Sequence, residues 1–64
     1  MTSEQTAWKI LEGFLSIIED KRSSLISMRS AGHYMDAELE EHAMNALLDV
    51  ASGLLSAIED GEFS

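Results

Sequence analysis

The feature that most constrains this chain is an apolar repeat of helical period that continues through four consecutive charges. Residues 19–22 read Glu-Asp-Lys-Arg. At 100° per residue, Leu25 and Ile26 fall at the same angles as Ala7 and Trp8, so the phase before the charges is kept after them. A turn would normally reset that phase and would usually contain Gly, Pro or Asn. The pattern therefore predicts one uninterrupted first helix.

We expect this first helix to run over about residues 4–30, with Thr2 or Ser3 as its N-cap. The alternative is a break in which Ser23 or Ser24 caps a second helical segment.

A second helix is predicted over about residues 36–59, after the interrupting sequence AGHYMD. Gly32 suits the left-handed position just beyond a helix end, and Asp36 suits an N-cap. The predicted fold class is all-α, an antiparallel helical hairpin that forms a single domain over residues 1–64. A short acidic tail after residue 59 is expected to fray.

Both predicted helices carry unusually wide apolar arcs, about 180° on the first and about 200° on the second at 100° per residue. A helix packed against one layer needs a stripe of a little over ~100°. We therefore expect a second copy to complete a four-helix bundle. A partner protein that covers the excess is the alternative. The predicted dimer core is Leu11, Phe14, Ile18, Leu25, Leu47, Leu48, Leu54 and Leu55.

Charged residues also fall inside the apolar arcs, where an unpaired charge would be costly. Lys21 is expected to reach water along its alkyl stem. For Arg22 two interpretations stay open, a side chain that also reaches water or a buried ion pair with Glu40. Arg29 is the other possible partner of Glu40. The pair would form within the hairpin or across the dimer.

Two helix-interior glycines, Gly13 and Gly53, fall at the same level of the predicted hairpin. With Ala43, Ala46 and Ala57 they would let the two backbones approach closely. The alternative is that each glycine is a tolerated defect.

Charge narrows the classes of partner. The chain has twelve acidic residues and four basic ones, and residues 31–64 contain no Lys or Arg. Nucleic acids and anionic membranes both require cationic contacts, so both are disfavoured. A basic or apolar protein surface is the expected partner. The sequence has no apolar run of ~18 residues and no signal-peptide pattern. With no cysteine, we expect a cytoplasmic protein.

No motif for chemistry stands out, so we predict no enzyme, no cofactor and no physiological metal site. Glu38 and His42 have the i, i+4 spacing that can chelate a metal, and His33 is nearby in sequence. A solvated start of the second helix explains the same residues. Candidate partner-binding residues are Tyr34, Met35, Glu38, Glu41, Glu59, Asp60 and Glu62.

The layout, the opening Met-Thr and the tail sequence Asp-Gly-Glu resemble the plasmid-encoded Rop hairpins. That resemblance implies a dimeric four-helix bundle and RNA binding, but this chain has too few cations for the latter. The leading hypothesis is a small regulatory or inhibitory protein that binds another protein, with a phage or mobile element as a compatible origin. A nucleic-acid mimic or Rop-like RNA binder, and a structural assembly subunit, are the alternatives.

Overall fold

The computed structural model describes residues 2–64 and contains two helices, α1 (Ser3–Ser30) and α2 (Tyr34–Glu59). They pack against each other along their length, so the predicted all-α hairpin is confirmed. The molecule measures 46 × 17 × 11 Å and is therefore a flat plank, two helices wide and one helix thick.

Helix α1 is continuous, as predicted, and the alternative break at Ser23 or Ser24 does not occur. Its start is fixed by a capping box. The Thr2 hydroxyl accepts a hydrogen bond from the Gln5 backbone N–H, and the Thr2 backbone N–H donates to Gln5 Oε1. Two otherwise unpaired N–H groups are thereby satisfied.

The turn between the helices is shorter than the sequence predicts. Gly32 takes a left-handed conformation, with φ 81°, and His33 N–H donates to the Met28 carbonyl at 2.8 Å. Together with the bond from Gly32 N–H to the Arg29 carbonyl, this is a Schellman ending. It reverses the chain at once, so His33 is the N-cap and the prediction of Asp36 was wrong. Asp36 instead lies in the first turn, where its charge favours the helix dipole.

The core inside the hairpin is thin. Its buried side chains are Ala7, Leu11, Ile18, Leu25, Ala37, Ala51 and Ile58. Among the described residues no large side chain is less than 2% exposed. The two helices therefore share one narrow seam, which leaves much of each apolar arc outside it.

The close approach at Gly13 and Gly53, one of the two interpretations of these glycines, is not seen. A Cβ added at either glycine would meet no atom within 4 Å, so both face away from the neighbouring helix. Neither glycine is required by the packing of this hairpin.

The C-terminal tail, which we expected to fray, turns back on the hairpin. Gly61 is left-handed, with φ 77°, and Glu62 N–H donates to the Ala57 carbonyl at 3.1 Å. This second Schellman ending directs Phe63 toward the core, where it packs half-buried.

Candidate protein-binding surfaces

One broad side of the plank carries an exposed apolar surface centred on a groove between the helices. Leu15 from α1 and Leu48 and Leu55 from α2 line this groove. At 100° per residue, Trp8 and Ile26 project to the same side of α1 as Leu15. We call this surface the Trp8 face; its exposed apolar side chains are Trp8, Leu15, Ile26, Leu48 and Leu55.

The opposite broad side is apolar as well. Ile10 and Leu15 project to opposite sides of buried Leu11, and Ile10 lines a second groove with Leu54 and Phe63. We call this surface the Val50 face. Its exposed members are Ile10, Ile17, Leu39 and Val50, and its half-buried members are Phe14, Ala43, Leu47, Leu54 and Ala57.

The residues predicted as a dimer core divide among three places. Leu11, Ile18 and Leu25 are buried within the single hairpin. Leu48 and Leu55 belong to the Trp8 face. The remaining three, Phe14, Leu47 and Leu54, border the Val50 face. These eight residues therefore do not form one continuous interface, since the two faces lie on opposite sides of the plank.

Glu40 has a different partner from those predicted. Within the hairpin, Lys21 Nζ donates to Glu40 Oε1 at 2.7 Å, and both side chains are partly shielded, at 30% and 23% exposure. Arg29 binds Glu41 instead, at 2.8 Å. The predicted intrachain pairs of Glu40 with Arg22 or Arg29, and the free Lys21, were therefore wrong.

The positions of Lys21 and Arg22 around α1 explain why Glu40 pairs with Lys21. At 100° per residue Lys21 projects toward the Val50 face, on the side from which Glu40 approaches. Arg22 projects toward the Trp8 face and is exposed there, beside Ile26. Pairing of these groups across a dimer stays a prediction.

At the turn end of the plank, Tyr34 and Met35 are strongly exposed, Met35 at 82%. Glu38 Oε1 lies 4.0 Å from His42 Nε2, and both side chains are open to solvent. Among residues 2–64 no third His, Cys, Asp or Glu joins them in a metal-binding group.

The acidic residues among the predicted partner-binding residues lie at the two ends of α2. Glu38 and Glu41 are near the turn, and Glu41 is engaged by Arg29. Glu59, Asp60 and Glu62 are exposed at the other end. The structure thus holds the two acidic groups a helix length apart.

Sequence reasoning singled out Leu48 and Leu55 among the exposed side chains of the two faces, and also Ile17, as side chains that a single hairpin leaves uncovered. Trp8, Ile10, Leu15 and Val50 were counted only as parts of wide arcs. Their positions toward the edges of the apolar arcs are the signal that would have found them.

No protein-family model, no curated protein and no solved structure matches this chain. The resemblance to the Rop hairpins therefore stays one of layout. Within residues 2–64, neither helix is long and apolar enough to cross a bilayer.

Proposed function

We propose that this chain is a small acidic protein that regulates or inhibits another protein by binding it. The Trp8 face carries the proposal. It presents a solvent-exposed tryptophan, 42% accessible, next to the leucine-lined groove of Leu15, Leu48 and Leu55. Contiguous exposed apolar surface with a polar rim is typical of interaction sites, and tryptophan is enriched among the residues that dominate binding energy.

The rim of the Trp8 face supports a protein partner over a lipid or a nucleic acid. Glu12 and Glu19 border it on α1, Ser52 on α2, and Arg22 is the exposed cation among them. A mixed rim around an apolar centre is the usual anatomy of a non-obligate interface. The net charge of −8 would speed association with a basic partner surface. A cytoplasmic setting and a phage or mobile-element origin belong to the same proposal.

The test is capture of a partner from the source-cell lysate by the tagged full chain, compared across two double variants. L15Q/L48Q removes the apolar groove wall at positions outside the hairpin core, and glutamine keeps helix propensity. Y34Q/M35Q removes an equal number of exposed apolar side chains at the turn. We expect one protein to be captured by the native chain and by Y34Q/M35Q, and to be lost with L15Q/L48Q. The reverse pattern would move the site to the turn.

A nucleic-acid mimic is the second candidate, and the exposed carboxylates at both ends of α2 favour it. Salt separates the two functions, because the Debye length shrinks to ~3 Å at 1 M and screens exposed charges. An apolar contact through the Trp8 face survives a high-salt wash, whereas a mimic releases its partner. Direct RNA binding would show as a low-salt gel shift. A structural assembly subunit would scatter more light as its concentration rises.

A further inference from the structure

We propose that the Val50 face is covered by a second copy of this chain, packed antiparallel. Its two-fold axis would cross α1 at Ile17 and α2 between Ala46 and Leu47. This inference does not rest on the proposed function, which concerns the opposite side of the plank.

The solvent-accessible area and the radius of gyration of this chain both exceed those of a compact monomer, which favours a second copy on this face. A typical monomer of this mass exposes roughly 4,000 Å², and this chain exposes 4589 Å². A compact chain of this length has a radius of gyration near ~11 Å, and here it is 14.5 Å. One broad side measures 46 by 17 Å. That outline is of the order of 800 Å², the share that each partner contributes to a standard interface.

The distribution of charge favours the Val50 face over the Trp8 face as the contact between two copies. On the Val50 face, every residue that projects outward between Ile10 and Ile17 on α1, and between Ala43 and Ala57 on α2, is apolar. Its one ion pair, Lys21 with Glu40, is already satisfied within the chain. The Trp8 face is bordered by unneutralised carboxylates, which two identical copies would bring together. Permanent homodimer interfaces are the more apolar kind.

The register of the hairpin fixes where the axis can lie. Lys21 is hydrogen-bonded to Glu40, and Ile10 shares a groove with Leu54. Leu15 likewise shares a groove with Leu48. Ile17 therefore lies level with residues 46 and 47. An axis that lies in the plane of the interface and runs perpendicular to the helices passes over all three positions.

About that axis the face is self-complementary. Ile17 meets Ile17 of the second copy, Ile10 meets Ser24, and Val50 meets Ala43. Leu47 meets Ala46 in the same way. Ile10, Val50 and Leu47 thus face smaller side chains, which lets these parts of the surfaces interdigitate as in a close-packed core. Ile17 with its own copy, and Leu39 with Leu54, are the pairs of large side chains.

The other symmetric arrangement fits less well. An axis parallel to the helices would place α1 over α2 of the second copy, with both turns at one end. Ile10 would then face Leu54, and Ile17 would face Leu47, large against large. The two Lys21–Glu40 pairs would also lie at the same level.

A single cysteine tests the axis directly, because the chain has no cysteine of its own. Two cysteines on a two-fold axis can meet the short Cα separation that a disulfide requires. We expect Ile17→Cys to convert to a linked dimer on mild oxidation. Leu15→Cys, equally exposed but on the Trp8 face, should give at least tenfold less. The native chain should sediment at twice its 7.0 kDa mass.

Three results would overturn the proposal. The first is a folded native chain that sediments as 7.0 kDa at every concentration. The second is equal cross-linking of Leu15→Cys and Ile17→Cys. The third is a disulfide that forms only when Ile17→Cys is mixed with Leu47→Cys, because that result places α1 over α2. L15Q/L48Q should remain dimeric, so loss of the partner and loss of the dimer are separate observations.

Discussion

Lys21 and Glu40 join the two helices through a 2.7 Å hydrogen bond between residues 19 positions apart. The pair lies in the turn-side half of the hairpin, where both side chains are more shielded than those of Arg29 and Glu41. This ion pair fixes the register of α1 against α2, and neither charge is buried without a partner. An ion pair at the margin of a thin core can set register at little desolvation cost.

The first prediction is that Lys21 and Glu40 couple more strongly than Arg29 and Glu41. A double-mutant cycle with Lys21→Met and Glu40→Gln should give a coupling of about 1 kcal/mol in urea unfolding. The cycle with Arg29→Met and Glu41→Gln should give under ~0.5 kcal/mol, because exposed pairs are screened. Equal couplings in the two cycles would contradict this ordering.

The second prediction concerns the continuity of α1. Ser24→Pro should cost about 3 kcal/mol or more, because proline in a helix interior removes a hydrogen bond and clashes with the preceding turn. Ser3→Pro is the control, since the first helical position tolerates proline. Unfolding followed by circular dichroism measures both. A harmless Ser24→Pro would mean that a new helix can start there.

The third prediction is that Gly32 is required for its left-handed backbone, with φ 81°. Gly32→Ala should destabilise the hairpin by roughly 1 kcal/mol, because a Cβ disfavours this conformation. Gly32→Asn should lose less, since asparagine adopts it more readily. No atom lies near the added Cβ, so a steric clash would not explain the loss. Thermal unfolding at one fixed protein concentration is the measurement, and an Asn variant weaker than the Ala variant would refute the explanation.

The fourth prediction is that the C-terminal tail is part of the folded unit. Phe63 packs half-buried against the core, so Phe63→Ala should cost about 1–2 kcal/mol, below the cost of a fully buried phenylalanine. Met35→Ala removes a side chain of similar apolar size that is 82% exposed. It should change the free energy of unfolding by less than ~0.5 kcal/mol. Equal effects in urea unfolding would show that the tail contributes nothing.

The helices themselves were predictable because their causes are local. The phase kept from Ala7 to Leu25 predicts a continuous α1, and Thr2 supplies its cap through a bond to a residue three positions away. Gly32 marks the end of α1 for the same kind of reason. These signals depend on neighbours along the chain, which the sequence states directly.

The partner of Glu40 and the start of α2 were not predictable in the same way. Angles on separate helical wheels place Lys21, Arg22 and Arg29 all near an apolar arc. Only the way the two helices meet shows that Lys21 alone approaches Glu40. Likewise, the Schellman bond from His33 to Met28 moves the start of α2 ahead of Asp36.

The order of the amino acids is enough to predict two amphipathic helices, a turn between them and apolar arcs wider than one seam, because helix periodicity and turn chemistry are short-range properties. How the apolar side chains are divided depends on the packing of α1 against α2, which places Leu11 and Ile18 inside and Trp8 and Val50 on opposite outer sides. The physical reason is that each helix can present only one direction to its neighbour, and the direction is chosen when the two surfaces pack.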